Sequence, residues 1–210
     1  MKSRRSPFPN IGSAPRAWLV DLDGTLYTPT PLKMLMGVEI FLTGLRDLRT
    51  VREFRRQHEL IRHHQQEPHS NPFELQLSLT ATALGEDPNQ VRDTVSRWMI
   101  ARPGKWIALL KRKSLIAELH KFRQQGGKTA LVSDYPARSK LKAMSIAGLF
   151  DVVVANGEEG CPAYLKPHPD GYLKAAKALG IAPSNCLVVG DREDADGEAA
   201  KRAGMPFRRV

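Results

Sequence analysis

Four short apolar runs, each followed by polar residues, constrain the fold of this chain more than any other feature. Runs without polar alternation are typical of strands that are buried on both faces, as in parallel sheets. The four runs cover residues 17–20, 129–132, 151–154 and 186–189. Amphipathic segments that predict helices, each ending near a glycine, cover residues 115–125, 139–147, 171–179 and 198–203. The sequence therefore predicts an α/β fold with a Rossmann-like parallel sheet and helices on both faces.

The segment 28–105 has a different pattern, with apolar residues at helical spacing and no convincing strand. Helices are predicted over residues 31–48 and onward toward His63, then over 72–84 and 88–100. A proline-containing pair lies at each boundary and resembles a linker: Thr28-Pro29 at one end and Pro103-Gly104 at the other. We therefore predict an all-helical cap at 28–105 inserted into a catalytic core formed by residues 17–27 and 106–210.

The first 16 residues are basic but lack the apolar region and the cleavage site of a signal peptide, so they are predicted to be a disordered tail. The longest apolar stretch is interrupted by Lys33 and Glu39, and it is shorter than the roughly 20 residues of a membrane-spanning helix. Only two cysteines, Cys161 and Cys186, are present, which favours a reducing cytoplasm over a disulfide-based fold.

The formal net charge of +10 favours anionic partners. A small phosphorylated metabolite, nucleic acid and an anionic membrane surface would all satisfy this charge. Part of it comes from a run of arginines in the cap, for which a solvated helix face is the default interpretation. These arginines are Arg46, Arg49, Arg52, Arg55, Arg56 and Arg62.

Two carboxylates follow the first predicted strand, in Asp21-Leu22-Asp23-Gly24-Thr25. Later strands are followed by Ser133 and by Gly190-Asp191, and Lys166-Pro167 precedes a helix. In open α/β sheets, ligands bind beyond the carboxyl ends of the strands. The polar residues at these ends are therefore expected to form one site.

These four motifs, in this order, resemble those of the haloacid dehalogenase superfamily, whose first motif is DxDG[TV]. The resemblance spans residues 17–206 as an architecture. It implies that Asp21 attacks phosphorus and that Asp23 acts as general acid and then base. It also implies that Ser133 and Lys166 bind the phosphoryl group.

A divalent cation is expected because a carboxylate and a phosphate dianion repel each other. Carboxylate oxygens are the ligands that Mg²⁺ prefers. The resemblance implies that Mg²⁺ is held by Asp21, the backbone carbonyl of Asp23, Asp191 and a second acid of the fourth motif. That acid is expected four or five residues after Asp191. Ala195 occupies the first position, so Asp196 is the better candidate and Asp194 is the alternate.

The expected activity is Mg²⁺-dependent hydrolysis of a phosphate monoester through an aspartyl phosphate. Dehalogenation is disfavoured because dehalogenases of this superfamily lack a carboxylate at the position of Asp23. Two alternatives stay open: a phosphotransferase or phosphomutase on the same scaffold, and a non-catalytic basic binding protein. The resemblance also implies that the cap contributes substrate contacts. Its apolar residues Met34, Leu35, Met36, Phe41 and Leu42 could line an apolar substrate pocket, but packing within the cap is the favoured expectation.

Overall fold

The computed structural model describes residues 15–64 and 67–210. Its centre is a five-stranded parallel sheet in the order β3-β2-β1-β4-β5. The strands are β1 (Ala17–Asp21), β2 (Lys128–Ser133), β3 (Val152–Ala155), β4 (Cys186–Gly190) and β5 (Phe207–Arg209). The predicted α/β fold is confirmed.

Side chains alternate across the two faces of the sheet, so each strand contributes to two cores. On one face Trp18, Val20 and Leu131 pack with Leu115 and Leu119. On the other face Leu19, Val132 and Val188 pack with residues that include Tyr172, Ala176 and Ala200. This double coverage is why the central strands lack polar alternation. The helices that cover the faces are α6 (Lys113–Gln124), α7 (Arg138–Ala143), α8 (Asp170–Leu179) and α9 (Glu198–Arg202).

Every regular element between residues 28 and 105 is helical within the described part of that segment. Its helices are α1 (Pro29–Thr43), α2 (Leu48–His64), α3 (Pro72–Leu84), α4 (Pro88–Val95) and α5 (Pro103–Leu110). A 3₁₀ turn at Leu45–Asp47 separates α1 from α2, and a π-helical segment at Ser96–Ala101 follows α4. Helix α3 has the predicted bounds, because Asn71 caps its first turn and Gly85 ends it in the left-handed region.

Several predicted boundaries differ from the structure. Pro103 and Gly104 form the first turn of α5 and not an extended linker, since proline is well tolerated at a helix start. Helix α5 therefore crosses the boundary placed at residue 105, and the division into core and cap remains a prediction. The helix predicted over 139–147 ends at Ala143, and a separate 3₁₀ turn follows at Ala147–Leu149.

The predicted disordered tail, 1–16, falls mostly outside the described residues. Arg16, however, donates its backbone N–H to the carbonyl of Asn185 and accepts from the N–H of Lys128. Arg16 therefore extends the pairing of β1 with both of its neighbours. Among the described residues, no helix is both long and apolar enough to cross a bilayer.

Candidate active site

The carboxyl ends of three adjacent strands bring the predicted site residues together. Asp21 ends β1, Ser133 ends the neighbouring β2, and Gly190-Asp191 follows from β4 on the other side. Because these strands are parallel, their ends meet at one edge of the sheet. Asp21 and Ser133 are both buried there.

Lys166 lies at the centre of this cluster. Its buried ammonium group donates to Oδ1 of Asp21 and, over 2.8 Å, to Oδ1 of Asp196. Burial alone would lower the pKa of Lys166, but the two carboxylates raise it well above its usual value. Lys166 is therefore a fixed positive charge beside Asp21.

Asp21, Asp191 and Asp196 each offer a carboxylate oxygen, and these oxygens lie within 4.8 Å of one another. Burial raises the pKa of Asp21 to about 8, and the charges of Asp196 and Asp23 add to this effect while Lys166 opposes it. The pKa of Asp191 is also raised, mainly by burial and then by Asp196. This accumulation of negative charge is unfavourable without a cation.

The same three acids fit a hard divalent cation such as Mg²⁺. Oδ2 of Asp21 is buried and has no hydrogen-bond partner among the residues that the structure describes. Two glycines allow the acids to approach: a Cβ on Gly24 would lie 2.2 Å from Oδ2 of Asp191, and a Cβ on Gly190 would lie 2.4 Å from Oδ2 of Asp196. Carboxylate oxygens are the ligands that Mg²⁺ prefers, so these residues fit such an ion.

The two alternative acids of the fourth motif lie in different environments. Asp196 is buried and accepts from Lys166 and, over 2.8 Å, from the hydroxyl of Tyr172. Asp194 instead lies outside the carboxylate cluster and pairs with Arg192 at 2.7 Å and with Arg62 at 2.8 Å. These hydrogen bonds hold the pKa of Asp194 well below its usual value. The structure therefore places Asp196, and not Asp194, beside Asp21.

Asp23 has two partners that the sequence did not single out. Lys140 of α7 donates to its Oδ1 over 2.6 Å, and the hydroxyl of Tyr27 donates to the same atom. Burial raises the pKa of Asp23, but Lys140 and then Tyr27 outweigh it, so the pKa is lowered. Oδ2 of Asp23 is buried and accepts no hydrogen bond from residues 15–64 and 67–210.

Ser133 is oriented by the loop that follows β2. Its Oγ accepts from the backbone N–H of Tyr135 at 3.2 Å. No acceptor for its own hydroxyl proton occurs in the described ranges, so the proton is free to be donated to a ligand. The next residue, Asp134, accepts from the backbone N–H of Lys166 at 3.2 Å and so joins the second and third motifs.

Helix α2 of the predicted cap contacts this edge of the sheet. Arg62 is buried and reaches Asp194 on the core. One turn earlier, the ring of His58 stacks on Tyr135, with 4.6 Å between the centroids. Burial lowers the pKa of His58, which favours the neutral imidazole. Phe54, His58 and Arg62 are four residues apart, and residues at this spacing share one helix face. The sequence could therefore have indicated that His58 and Arg62 lie on the buried face of Phe54.

Comparison with known proteins identifies the class that this fold and site define. The family model of haloacid dehalogenase-like hydrolases matches residues 15–204. The chain therefore belongs to this family, and the prediction of a phosphatase-type hydrolase is confirmed.

Two relatives in sequence are named as phosphatases, and a solved structure shares the fold. The chain is 30% identical to glyceraldehyde 3-phosphate phosphatase of Methanopyrus kandleri, over 93% of this chain and 83% of that protein. A shorter match of 66 residues is 44% identical to phosphoglycolate phosphatase of Escherichia coli K12, and it covers 31% of this chain and 25% of that protein. L-2-haloacid dehalogenase from Xanthobacter autotrophicus shares the fold, with a TM-score of 0.63 and 20% identity, over 93% of this chain and 77% of that one.

Proposed function

We propose that this chain hydrolyses a small phosphate monoester with Mg²⁺ as cofactor, through a phosphoryl group carried on Asp21. The observation that carries the proposal is the environment of Asp21. One of its oxygens accepts a hydrogen bond from Lys166. The other is buried beside two further carboxylates and has no hydrogen-bond partner in the described part of the chain. This second oxygen has no hydrogen bond to lose when it becomes a nucleophile or a metal ligand.

Asp21, Asp191 and Asp196 would hold Mg²⁺, together with the backbone carbonyl of Asp23. When bound, the metal supplies the positive charge that offsets repulsion between the carboxylate and the phosphate. Lys166 adds a second positive charge and orients Asp21. Ser133 would donate its free hydroxyl proton to a phosphoryl oxygen.

Two displacement steps at phosphorus follow from these roles. Asp21 forms a bond to phosphorus while the bond to the alcohol oxygen breaks, and Asp23 gives a proton to that oxygen. In the second step a water molecule attacks the same phosphorus and Asp23, now ionised, takes its proton. The bond between phosphorus and the Asp21 oxygen breaks, which releases inorganic phosphate and restores the Asp21 carboxylate. Lys140 keeps Asp23 ionised in the free protein, which suits the second step. An incoming phosphate dianion would raise the pKa of Asp23 and favour its protonation for the first step.

The substrate class is a small phosphorylated metabolite. Two relatives are phosphatases named for phosphoglycolate and for glyceraldehyde 3-phosphate, which makes phosphate esters of short oxygenated carbon chains the first compounds to assay. Two free thiols, Cys161 and Cys186, support a cytoplasmic location.

The test is release of inorganic phosphate from a panel of such esters, with and without Mg²⁺. Metal-dependent hydrolysis that a chelator abolishes and added Mg²⁺ restores would support the proposal. Transfer of the phosphoryl group to a second sugar with no free phosphate would assign a phosphotransferase instead. Binding of the esters without either reaction would assign a non-catalytic protein.

A further inference from the structure

One face of helix α1 exposes an apolar stripe that nothing in the described residues covers. The stripe consists of Met34, Val38, Phe41, Leu42 and Leu45, with exposed fractions of 70%, 61%, 66%, 73% and 58%. At about 100° of rotation per residue, the four that belong to α1 fall within roughly a 100° arc of the helix. The opposite face buries Leu32 and Ile40. The expectation that Met34, Phe41 and Leu42 pack within the cap is therefore wrong.

An apolar stripe of this extent is unusual on a free surface, because exposed large apolar side chains are normally scattered. Five of the nine large apolar side chains that are exposed in the described residues belong to it. The stripe is therefore expected to contact something in the working state of the protein.

Exposed cations flank both ends of the stripe. Lys33 lies at its start, and Arg46, Arg49 and Arg52 follow its end. The side chains of these four residues make no ion pair and no hydrogen bond within residues 15–64 and 67–210. The four acids of the same region, by contrast, are all paired. They are Glu39 with Arg102, Asp47 with Arg97, Glu53 with Arg56, and Glu59 with Arg62.

The stripe and the arginines form one continuous surface. Leu45 ends the stripe and also lines a groove of about 520 Å³ between α2 and the end of α3. The same groove is lined by Arg49, Arg52 and Arg56, with Leu48 and Leu84 among its apolar residues. Apolar side chains therefore lie beside the guanidinium groups of Arg49 and Arg52, which have no ion pair in the described ranges, whereas Arg56 pairs with Glu53 in the same groove.

We propose that this surface docks on an anionic lipid bilayer, with the stripe of α1 inserted at the level of the headgroups. Interfacial helices combine a face that carries Phe, Leu and Met with flanking Lys and Arg that reach anionic headgroups. A second copy of the chain is a poorer occupant, since it would bring two chains of net charge +10 and the same unpaired arginines together. Nucleic acid would use the arginines but would leave four aliphatic side chains of the stripe unexplained.

The test is co-sedimentation of the full chain with vesicles of equimolar phosphatidylcholine and phosphatidylglycerol, compared with pure phosphatidylcholine. The protein should bind the anionic vesicles, and added salt should weaken the binding. Each basic residue near an anionic surface contributes roughly five-fold in affinity, so Arg46→Gln, Arg49→Gln and Arg52→Gln together should lose about 100-fold. Phe41→Ser with Leu42→Ser should also abolish most of the binding, and Leu42→Gln alone should weaken it.

Matched controls separate this surface from general charge and hydrophobicity. Lys121→Gln, Lys177→Gln and Lys201→Gln together remove the same charge from exposed positions on the core, and Leu173→Ser removes an exposed apolar side chain there. Both controls should bind as the unaltered chain does. All variants should keep the melting temperature and the hydrolysis of a soluble aryl phosphate, since none alters the active site.

Three results would overturn the proposal. The first is an unaltered chain that stays in the supernatant at every concentration of anionic lipid. The second is equal loss of binding in the cap and core charge variants. The third is a dimer in sedimentation velocity that becomes monomeric in the Phe41→Ser, Leu42→Ser variant, because the stripe would then be covered by a second copy.

Discussion

Lys140 donates to Oδ1 of Asp23 over 2.6 Å, which places a buried ammonium group from helix α7 against the second carboxylate of the first motif. Asp21 has the corresponding partner in Lys166. Each carboxylate of the DxD pair therefore has its own lysine. Their pKa values nevertheless move in opposite directions, because the charges of Asp196 and Asp23 add to the burial of Asp21.

Removing Lys140 should change the pH dependence of catalysis. Lys140 lowers the pKa of Asp23, so Lys140→Met should raise it. The alkaline limb of kcat, where Asp23 in the complex with substrate loses the proton it gives to the leaving group, should then move to higher pH. The measurement is a pH–rate profile with an alkyl phosphate. Lys142→Met is the control, because Lys142 is exposed two residues further along the same helix. An identical shift in both variants would contradict the assignment.

Asp21 should reduce the stability of the metal-free protein above acidic pH. Its pKa is about 8 in the folded chain, against about 4 when unfolded, so the folded state binds the extra proton between these values. Stability without metal should therefore fall as pH rises from about 4 to 8. Asp21→Asn should raise the melting temperature at pH 8 in the presence of chelator and flatten this dependence.

Asp194→Asn is the matched comparison for that measurement. The pKa of Asp194 is lowered by Arg192 and Arg62, so its contribution is present above its unfolded pKa near 4 and is lost as pH falls below it. Asp194→Asn should therefore lower the melting temperature slightly at pH 8. An Asp21→Asn variant that is also less stable there would show that burial of Asp21 is offset within the metal-free fold.

The two candidate acids of the fourth motif, Asp194 and Asp196, should differ in their effect on Mg²⁺ binding. Asp196→Asn should raise the Mg²⁺ concentration needed for half-maximal activity much more than Asp194→Asn, because Asp196 lies within the carboxylate cluster and Asp194 pairs with arginines outside it. Titration of activity with Mg²⁺ gives the comparison. The reverse order would mean that the metal ligands have been misassigned.

Gly24 should be required for Mg²⁺ binding because a side chain there would collide with Asp191, in addition to the strain of its positive φ. Its φ is +98°, and an added Cβ would lie 2.2 Å from Asp191. Gly180 has a φ of +67° with open space around it, so Gly180→Ala has only the backbone cost of roughly 1–2 kcal/mol. Gly24→Ala should lose Mg²⁺ affinity as well as stability, whereas Gly180→Ala should lose stability alone. Isothermal titration with Mg²⁺ and thermal melts distinguish the two.

Most parts of the site that the sequence predicted adjoin strands, and Lys166, which precedes α8, was predicted from its motif. Asp21, Ser133 and Asp191 follow apolar runs, so the parallel topology alone brings them together. Lys140 could not be singled out, because α7 carries three basic residues at alternate positions and only its orientation toward Asp23 distinguishes one of them.

Two features of the fold also lay beyond sequence reasoning. Strand β5 is three residues long and contains two arginines, so it lacks an apolar run, and short charged strands are typical of sheet edges. The apolar spacing in α1 predicted a helix correctly. Periodicity shows which residues share a face but not what that face contacts, so the exposure of Phe41 and Leu42 was not predictable.

The most direct test of the proposed chemistry is the mass of the protein quenched in acid during turnover of an activated aryl phosphate with Mg²⁺. The unaltered chain should carry one phosphoryl group, sensitive to hydroxylamine, on the peptide that contains Asp21. Asp21→Asn should carry none and should have lost hydrolysis. Asp23→Asn should accumulate the adduct and lose about 10²–10⁴-fold in rate with poor leaving groups. Substantial turnover by Asp21→Asn, or a phosphoryl group on another residue, would contradict the account.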